Sequence, residues 1–349
     1  MTTFYLTGSI NVPTVDAAFR LVGSRLQPGV SRVPDGEPGD RANWVFTQAD
    51  HFTKNPTLEV EGDRARVRPG VAVEFGPVDY HSTATESYAA FRRAREDGVL
   101  AADSRFLVSI PTPFNAVNSF VEFADRVQVA HAYEQALRGS VEAIQEAIPP
   151  ADLAIQWDLP TELATVEGWF DNPYGSLEPI YAATGRVGDW VHPDAELAFH
   201  LCYGDSKFGA SPFMGEPPNE DAAARGGRHI LPRDASAIVA LANGLSRHVS
   251  RRIDAIQAAT VAAWTKRAHW APLADLALEP STEFYLGLLH AEDGAHGAAV
   301  RADLAAEFLP EFGVSTECGL GRHSPEQLEA VLVAWQQYSA AREPALAGG

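Results

Sequence analysis

Eight short, apolar, β-rich runs recur along the chain with helical patterns between them, and this alternation restricts the fold more than any other feature. The runs begin at Phe4, Ser31, Phe106, Leu153, Leu197, Arg252, Glu283 and Gly313, and Val71–Tyr80 reads as an extension of the second. The intervening helices include Val15–Leu26, with Thr14 as N-cap, and one stopped by Gly98. A long helical region is expected over Ser119–Ala147, another over Ser236–Val249, and a last one after Ser324, where Gln327 completes a capping box. Such alternation requires a parallel sheet, because each helix carries the chain back to the end where the strand began. Eight units in 349 residues favour a single-domain (β/α)8 barrel of the TIM type over an open, doubly wound sheet. All eight strands then open on one mouth. Ser9, Asp35, Glu37, Asp158, His200, Cys202, Gln257, His290 and Cys318 all fall at that end. The Gly-, Pro- and charge-rich stretch from Phe208 to Pro232 is long for a simple connection and reads as a lid. Residues 343–349 read as a disordered tail.

Composition sets the class of partner. Lys plus Arg is 27 and Asp plus Glu is 46, a formal charge of −19. A field of that sign repels phosphate, which argues against nucleic acid and anionic membrane surfaces and leaves a small-molecule substrate. No basic-then-apolar leader opens the chain, no run is apolar enough to span a bilayer, and two cysteines make no disulfide framework. A cytoplasmic enzyme is the expectation, with its oligomeric state open. Ala224–His229 lacks the strand, spacing and Lys-Ser/Thr of a phosphate-binding loop, so no nucleotide cofactor is expected.

The two thiols carry the chemistry. In LAFHLCYGDS, His200 and Cys202 are two apart, so on a strand they share a face. Imidazole and thiolate are zinc's preferred donors. The other thiol, Cys318 in STECGLGR, is far away in sequence, so a shared site is tertiary. By spacing alone the two cysteines are either small apolar core residues or two corners of a metal site.

Taken in order, GSINVPT, IQWDLP, FHLCYG, YLGLLH and ECGLGR resemble the catalytic barrel of cobalamin-independent methionine synthases, within the superfamily that also holds uroporphyrinogen decarboxylase-like barrels. The resemblance spans almost the whole chain through short motifs. It implies zinc on His200, Cys202 and Cys318, binding a substrate thiol as thiolate for alkyl transfer. It implies that His290 moves a proton, that Asp158 takes a substrate amino group, and that Gly8 and Ser9 hold a carboxylate. Asp35 and Glu37, in PDGEPGDRANW, match an Asp-Gly-Glu of single-barrel relatives and would face substrate.

The departures shape the expected activity. Gln257 stands where the family has a glutamate zinc ligand, and a neutral amide is the poorer donor. Zinc is then held by three protein ligands, or Glu317 or another group substitutes, or the metal is gone. Leu159 replaces the acid of an Asp-Glu-Pro motif, the tryptophan expected near the third strand is absent from SIPTPF, and the second barrel of the larger members is missing. The expected activity is therefore a zinc-assisted thiol or alkyl (methyl) transferase whose substrates are not simply homocysteine plus folate. The runner-up is a metal-free lyase or decarboxylase using Asp158, Asp35 or His290 for acid–base work. A non-catalytic binding barrel is a third reading.

Overall fold

A computed structural model describes residues 3–27, 29–204 and 232–342. The expected lid lies almost wholly outside these residues, and the expected tail entirely so.

Eight parallel strands form a nearly closed barrel: β1 (Phe4–Tyr5), β2 (Arg32–Pro34), β5 (Arg105–Pro111), β6 (Leu153–Asp158), β7 (Glu196–Leu201), β8 (Ala255–Ala259), β9 (Glu283–Leu289) and β10 (Gly313–Thr316). The ladder runs β1-β10-β9-β8-β7-β6-β5-β2. The seam between β1 and β2 is closed by one parallel bridge, Phe4 to Val30, with Phe4 N donating to Gly29 O at 3.1 Å. The barrel predicted from the alternation is thus the barrel observed.

The helices pack outside. Among them α1 (Val15–Arg25) begins at Thr14, whose hydroxyl accepts from Ala17 N. α3 (His81–Glu96) ends before Gly98, which takes a φ of +71°. α11 (Pro325–Arg342) opens with the reciprocal Ser324–Gln327 box. The region expected as one helix over Ser119–Ala147 is two, α4 (Pro113–Phe120) and α5 (Arg126–Ala147). The break falls at Val121, where the chain becomes extended and bridges to Ala65.

Two further features depart from the sequence reading. Leu58–Glu61 (β3) and Arg64–Val67 (β4) form a separate antiparallel hairpin turning at Gly62, whose φ is +67°. Val71–Tyr80 is not a strand. Its alternation is real, since Val73 and Phe75 pack on the core while Val71 and Glu74 are exposed, but it serves a strap. Phe75 packs on Phe52 and Tyr133, with ring centroids 5.3 and 5.2 Å apart, so the apolar face is used without a ladder.

The barrel interior is stacked in layers. At the base, Arg32 is buried between Glu196 (2.6 Å) and Glu283 (2.7 Å). Above it Tyr5, Leu107, Ala154, Ala198, Ala255 and Tyr285 form one apolar cluster. Small alanines on three strands leave room for the two tyrosine rings, whose centroids are 5.0 Å apart. Above that layer the axis turns polar, with Gln156 and Gln257 fully buried. No described helix is long and apolar enough to cross a membrane.

Candidate metal centre

Two glutamines, on the strands either side of β7, set the mouth residues above them. Gln156 and Asp158 share the inward face of β6. The Gln156 amide donates to Asp158 Oδ1 (2.7 Å) and to Thr7 O (2.6 Å), and its carbonyl accepts from Tyr5 OH (2.8 Å). Gln257 lies opposite His200 in the β7–β8 register. Its Nε2 donates to Ser315 Oγ (2.8 Å) and Thr316 O (3.0 Å). A backbone carbonyl only accepts, so the amide orientation is fixed and Oε1 faces His200 Nδ1, with which it hydrogen-bonds. Nδ1 therefore carries its proton toward Gln257, and Nε2 is turned to Cys318 Sγ, 3.4 Å away.

His200, Cys202 and Cys318 converge, their donor atoms all within 4.8 Å of one another. Both cysteines are free thiols. The donor set, one imidazole oriented by its second nitrogen and two sulfurs, fits a tetrahedral zinc with one position left for a substrate. Gln257 is spent on His200, Ser315 and Thr316 and does not line the pocket that holds these three residues. Glu317 turns toward His290 instead, with Oε2 3.1 Å from His290 Nδ1. Neither Gln257 nor Glu317 adds a fourth donor to the three.

The electrostatics bind the triad together. Cys202 donates to Cys318, which lowers the Cys318 pKa; burial opposes this and His200 adds to it, leaving the thiol well below its usual value. Burial raises Cys202. Burial disfavours the His200 imidazolium, but Cys318, with Asp158 and Gln257, outweighs it and pushes the ring up to about 9. Without metal the triad is a thiolate–imidazolium pair fed by a second thiol.

The pocket around the triad is small, about 40 Å³, and is lined by Gly8, Ser9, Glu37 and Asp158 together with Gly319 and Arg322. These residues meet because the chain approaches itself closely. Leu320 N donates to Ser9 O at 2.6 Å, and a Cβ on Gly319 would stand 2.4 Å from Ser9 Oγ. A side chain at Gly319 would displace the Ser9 hydroxyl, and one at Gly321 would meet Ser9 Cβ at 2.7 Å, which is the physical content of the Cys-Gly-Leu-Gly run.

Asp35 is drawn away from the pocket. Its Oδ2 accepts from Arg41 (2.7 Å) and Ser87 (2.6 Å), and its Oδ1 accepts from Glu37 N (2.9 Å). It holds the loop that presents Glu37. Glu37 takes a φ of +44°, uncommon for a residue with a side chain. Burial, then Asp35 and Asp158, raises its carboxyl well above the ordinary range. His290 is 1% exposed and stands behind the pocket, in contact with Glu317 but making no hydrogen bond of good geometry. Sequence reasoning missed Gln156, Arg322 and the left-handed Glu37. A glutamine at an inward position of an otherwise apolar strand was the available signal for the first.

The class the fold defines is a parallel (β/α)8 barrel with a His/Cys/Cys cluster at its C-terminal mouth. Among solved structures, the chain is similar to a B12-independent methionine synthase from Shewanella sp. W3-18-1 in complex with selenomethionine, at TM-score 0.64 and 16% identity over 99% of both chains. It is also similar to a Listeria monocytogenes structure assigned as a vitamin-B12-independent methionine synthase, at TM-score 0.55 and 14% identity, covering 98% of this chain and 99% of that one. At these identities the likeness establishes the fold. No family model and no curated protein sequence matches the chain.

Proposed function

We propose that the chain is a zinc-assisted thiol or alkyl (methyl) transferase whose substrates differ from the simple pair of homocysteine and folate. The observation that carries this reading is the convergence of His200, Cys202 and Cys318 within 4.8 Å at the mouth of the barrel. When zinc is bound at such a site, it keeps a substrate thiol deprotonated at neutral pH. The likeness to a barrel that holds selenomethionine supports a sulfur-bearing substrate.

The chain's own residues do the rest. Gln257 fixes the tautomer and aim of His200. Asp158, anchored from below by Gln156, presents a carboxylate to a substrate ammonium. Gly8 and Ser9 offer backbone to a substrate carboxylate, and Arg322 supplies positive charge in the same pocket. His290, beside Glu317, is placed to move a proton once substrate contact opens the wall in front of it. Closure of so small a pocket around the reactants excludes water.

The test is metal content of protein purified without a metal-binding tag, beside Cys202→Ala and Cys318→Ala. About one zinc per chain, lost in both variants, is the expected result. A wild-type protein that takes up no zinc under reducing conditions would leave the metal-free lyase as the better reading, with turnover that survives chelation.

A further inference from the structure

The metal pocket is too small for a whole substrate. At about 40 Å³ it has room for the reacting end of a substrate among Asp158, Gly8, Ser9 and the triad, and any larger body must lie elsewhere. On the other side of Glu37 lies a second chamber of about 320 Å³, and Glu37 lines both.

This chamber exists because β2 stops early. Pro34 pairs with Leu107 and the ladder ends there, while β5 continues to Pro111. The barrel wall is therefore open beside Val108 and Ser109. The loop ending at Gln48 and the first turn of α3, at Thr83 and Ala84, cover the opening.

Its chemistry is one-sided. Phe106, Leu107 and Val108 give an apolar floor. Gln48 is 8% exposed, lines the chamber, and its Oε1 has no hydrogen-bond partner. The Arg41 charge is already committed to Asp35. Asp79 and His51 face the same space, and burial holds the His51 ring below its ordinary pKa, which disfavours its cationic form. An entering anion meets the Asp79 carboxylate and a bare carbonyl, whereas a donor-bearing cation satisfies them.

We propose that this chamber is a recognition subsite for the body of the substrate, and that it takes an ammonium group carried on an apolar stem. The proposal rests on the transferase reading for where the reacting end lies, and on the cavity alone for the chemistry of the body. Gln48 accepts from the ammonium, the stem lies along Phe106 and Val108, and the reacting end passes Glu37 toward the triad.

The experiment is calorimetric titration of the full chain, with its zinc content measured beforehand, using phenethylamine and then phenylacetate. Saturable binding of the amine is expected, with the acid weaker by roughly tenfold or more. Ala84→Phe, which fills the chamber, should abolish amine binding and leave zinc content unchanged. Gln48→Leu should weaken the amine several-fold, and it serves if Ala84→Phe does not fold. Equal binding of amine and acid, no saturable binding of the amine, or affinity unchanged in a folded variant overturns the proposal. The two readings fail separately. A protein that holds zinc but ignores the amine keeps the transferase reading and loses the subsite. One that holds no zinc yet binds the amine keeps the subsite and loses the transferase.

Discussion

Gln257 and His200 face each other across the β7–β8 ladder, and the glutamine has no freedom to turn. Its amide is held by Ser315 and by the Thr316 carbonyl, so its oxygen must meet His200 Nδ1. A residue that stands where a zinc ligand was expected thus acts on the metal site through the histidine. Gln257→Leu should weaken zinc binding by roughly 10–100-fold while the three donors remain. Competition against a chromophoric chelator reads this directly. An unchanged zinc affinity would remove the role assigned to Gln257.

His200 and Cys318 together make the metal-free protein sensitive to acid. Raising His200 from 6.5 to about 9 adds stability that fades as pH rises through that window, while the lowered Cys318 adds stability that grows across it. The two offset there, and the net loss comes in acid, as the Cys318 thiolate takes up a proton. Thermal melts of metal-free protein should therefore hold nearly level from about 6.5 to 9 and fall below 6.5, and Cys318→Ser should remove the acid limb. Cys318, partly exposed and held as thiolate, should also alkylate with iodoacetamide at neutral pH well before buried Cys202. Peptide mass spectrometry over time gives the order, and added zinc should protect both.

Glu162, which lines a different pocket from the triad, supplies a second pH dependence. It is 1% exposed, Thr112 bonds one oxygen, and Oε2 has no hydrogen-bond partner. Burial raises its carboxyl from 4.5 to about 7. The folded state therefore binds the proton more tightly, and stability falls as pH rises from 4.5 toward 7. The full penalty above 7 is at most about 3 kcal/mol, at roughly 1.4 kcal/mol per pKa unit. Glu162→Gln should raise the melting temperature at alkaline pH and have little effect in acid. A stabilisation equal at both ends would contradict the assignment.

Arg32 closes the base of the barrel. Its side chain is 7% exposed and meets Glu196 and Glu283 at 2.6 and 2.7 Å. Arg32→Leu leaves Glu196 facing a buried apolar layer with only Arg105 beside it, at 3.0 Å. Removing one partner of a buried ion pair costs about 3–5 kcal/mol. Urea denaturation should show a loss of that order, with zinc content intact in the folded fraction because the triad lies at the opposite end.

The barrel and its mouth were legible in the sequence because both depend on short-range periodicity. Apolar alternation marks a strand, and a polar residue at its C-terminal end marks the mouth. His200, Cys202, Asp158 and Cys318 were found in that way. What lay beyond reach was tertiary. The period-2 pattern of Val71–Tyr80 is the same whether the strip pairs with a strand or merely lies on Phe52 and Tyr133. The Gly62–Asp63 turn of the hairpin was visible and went unread. That Gln257 answers to His200, or that Asp35 holds Glu37 and leaves the pocket, follows from register and loop geometry, which composition does not encode.

The single bridge between Phe4 and Val30, and the early end of β2, divide the barrel into a stiff side and a loose one. The triad stands on the stiff side, against strands laddered on both edges. Glu37 and the chamber stand on the loose side, where few ladder bonds hold the wall. Substitutions around β2 and its loop can therefore reshape what the protein admits while His200, Cys202 and Cys318 keep their positions. In such a molecule, selectivity is free to drift without the chemistry drifting with it.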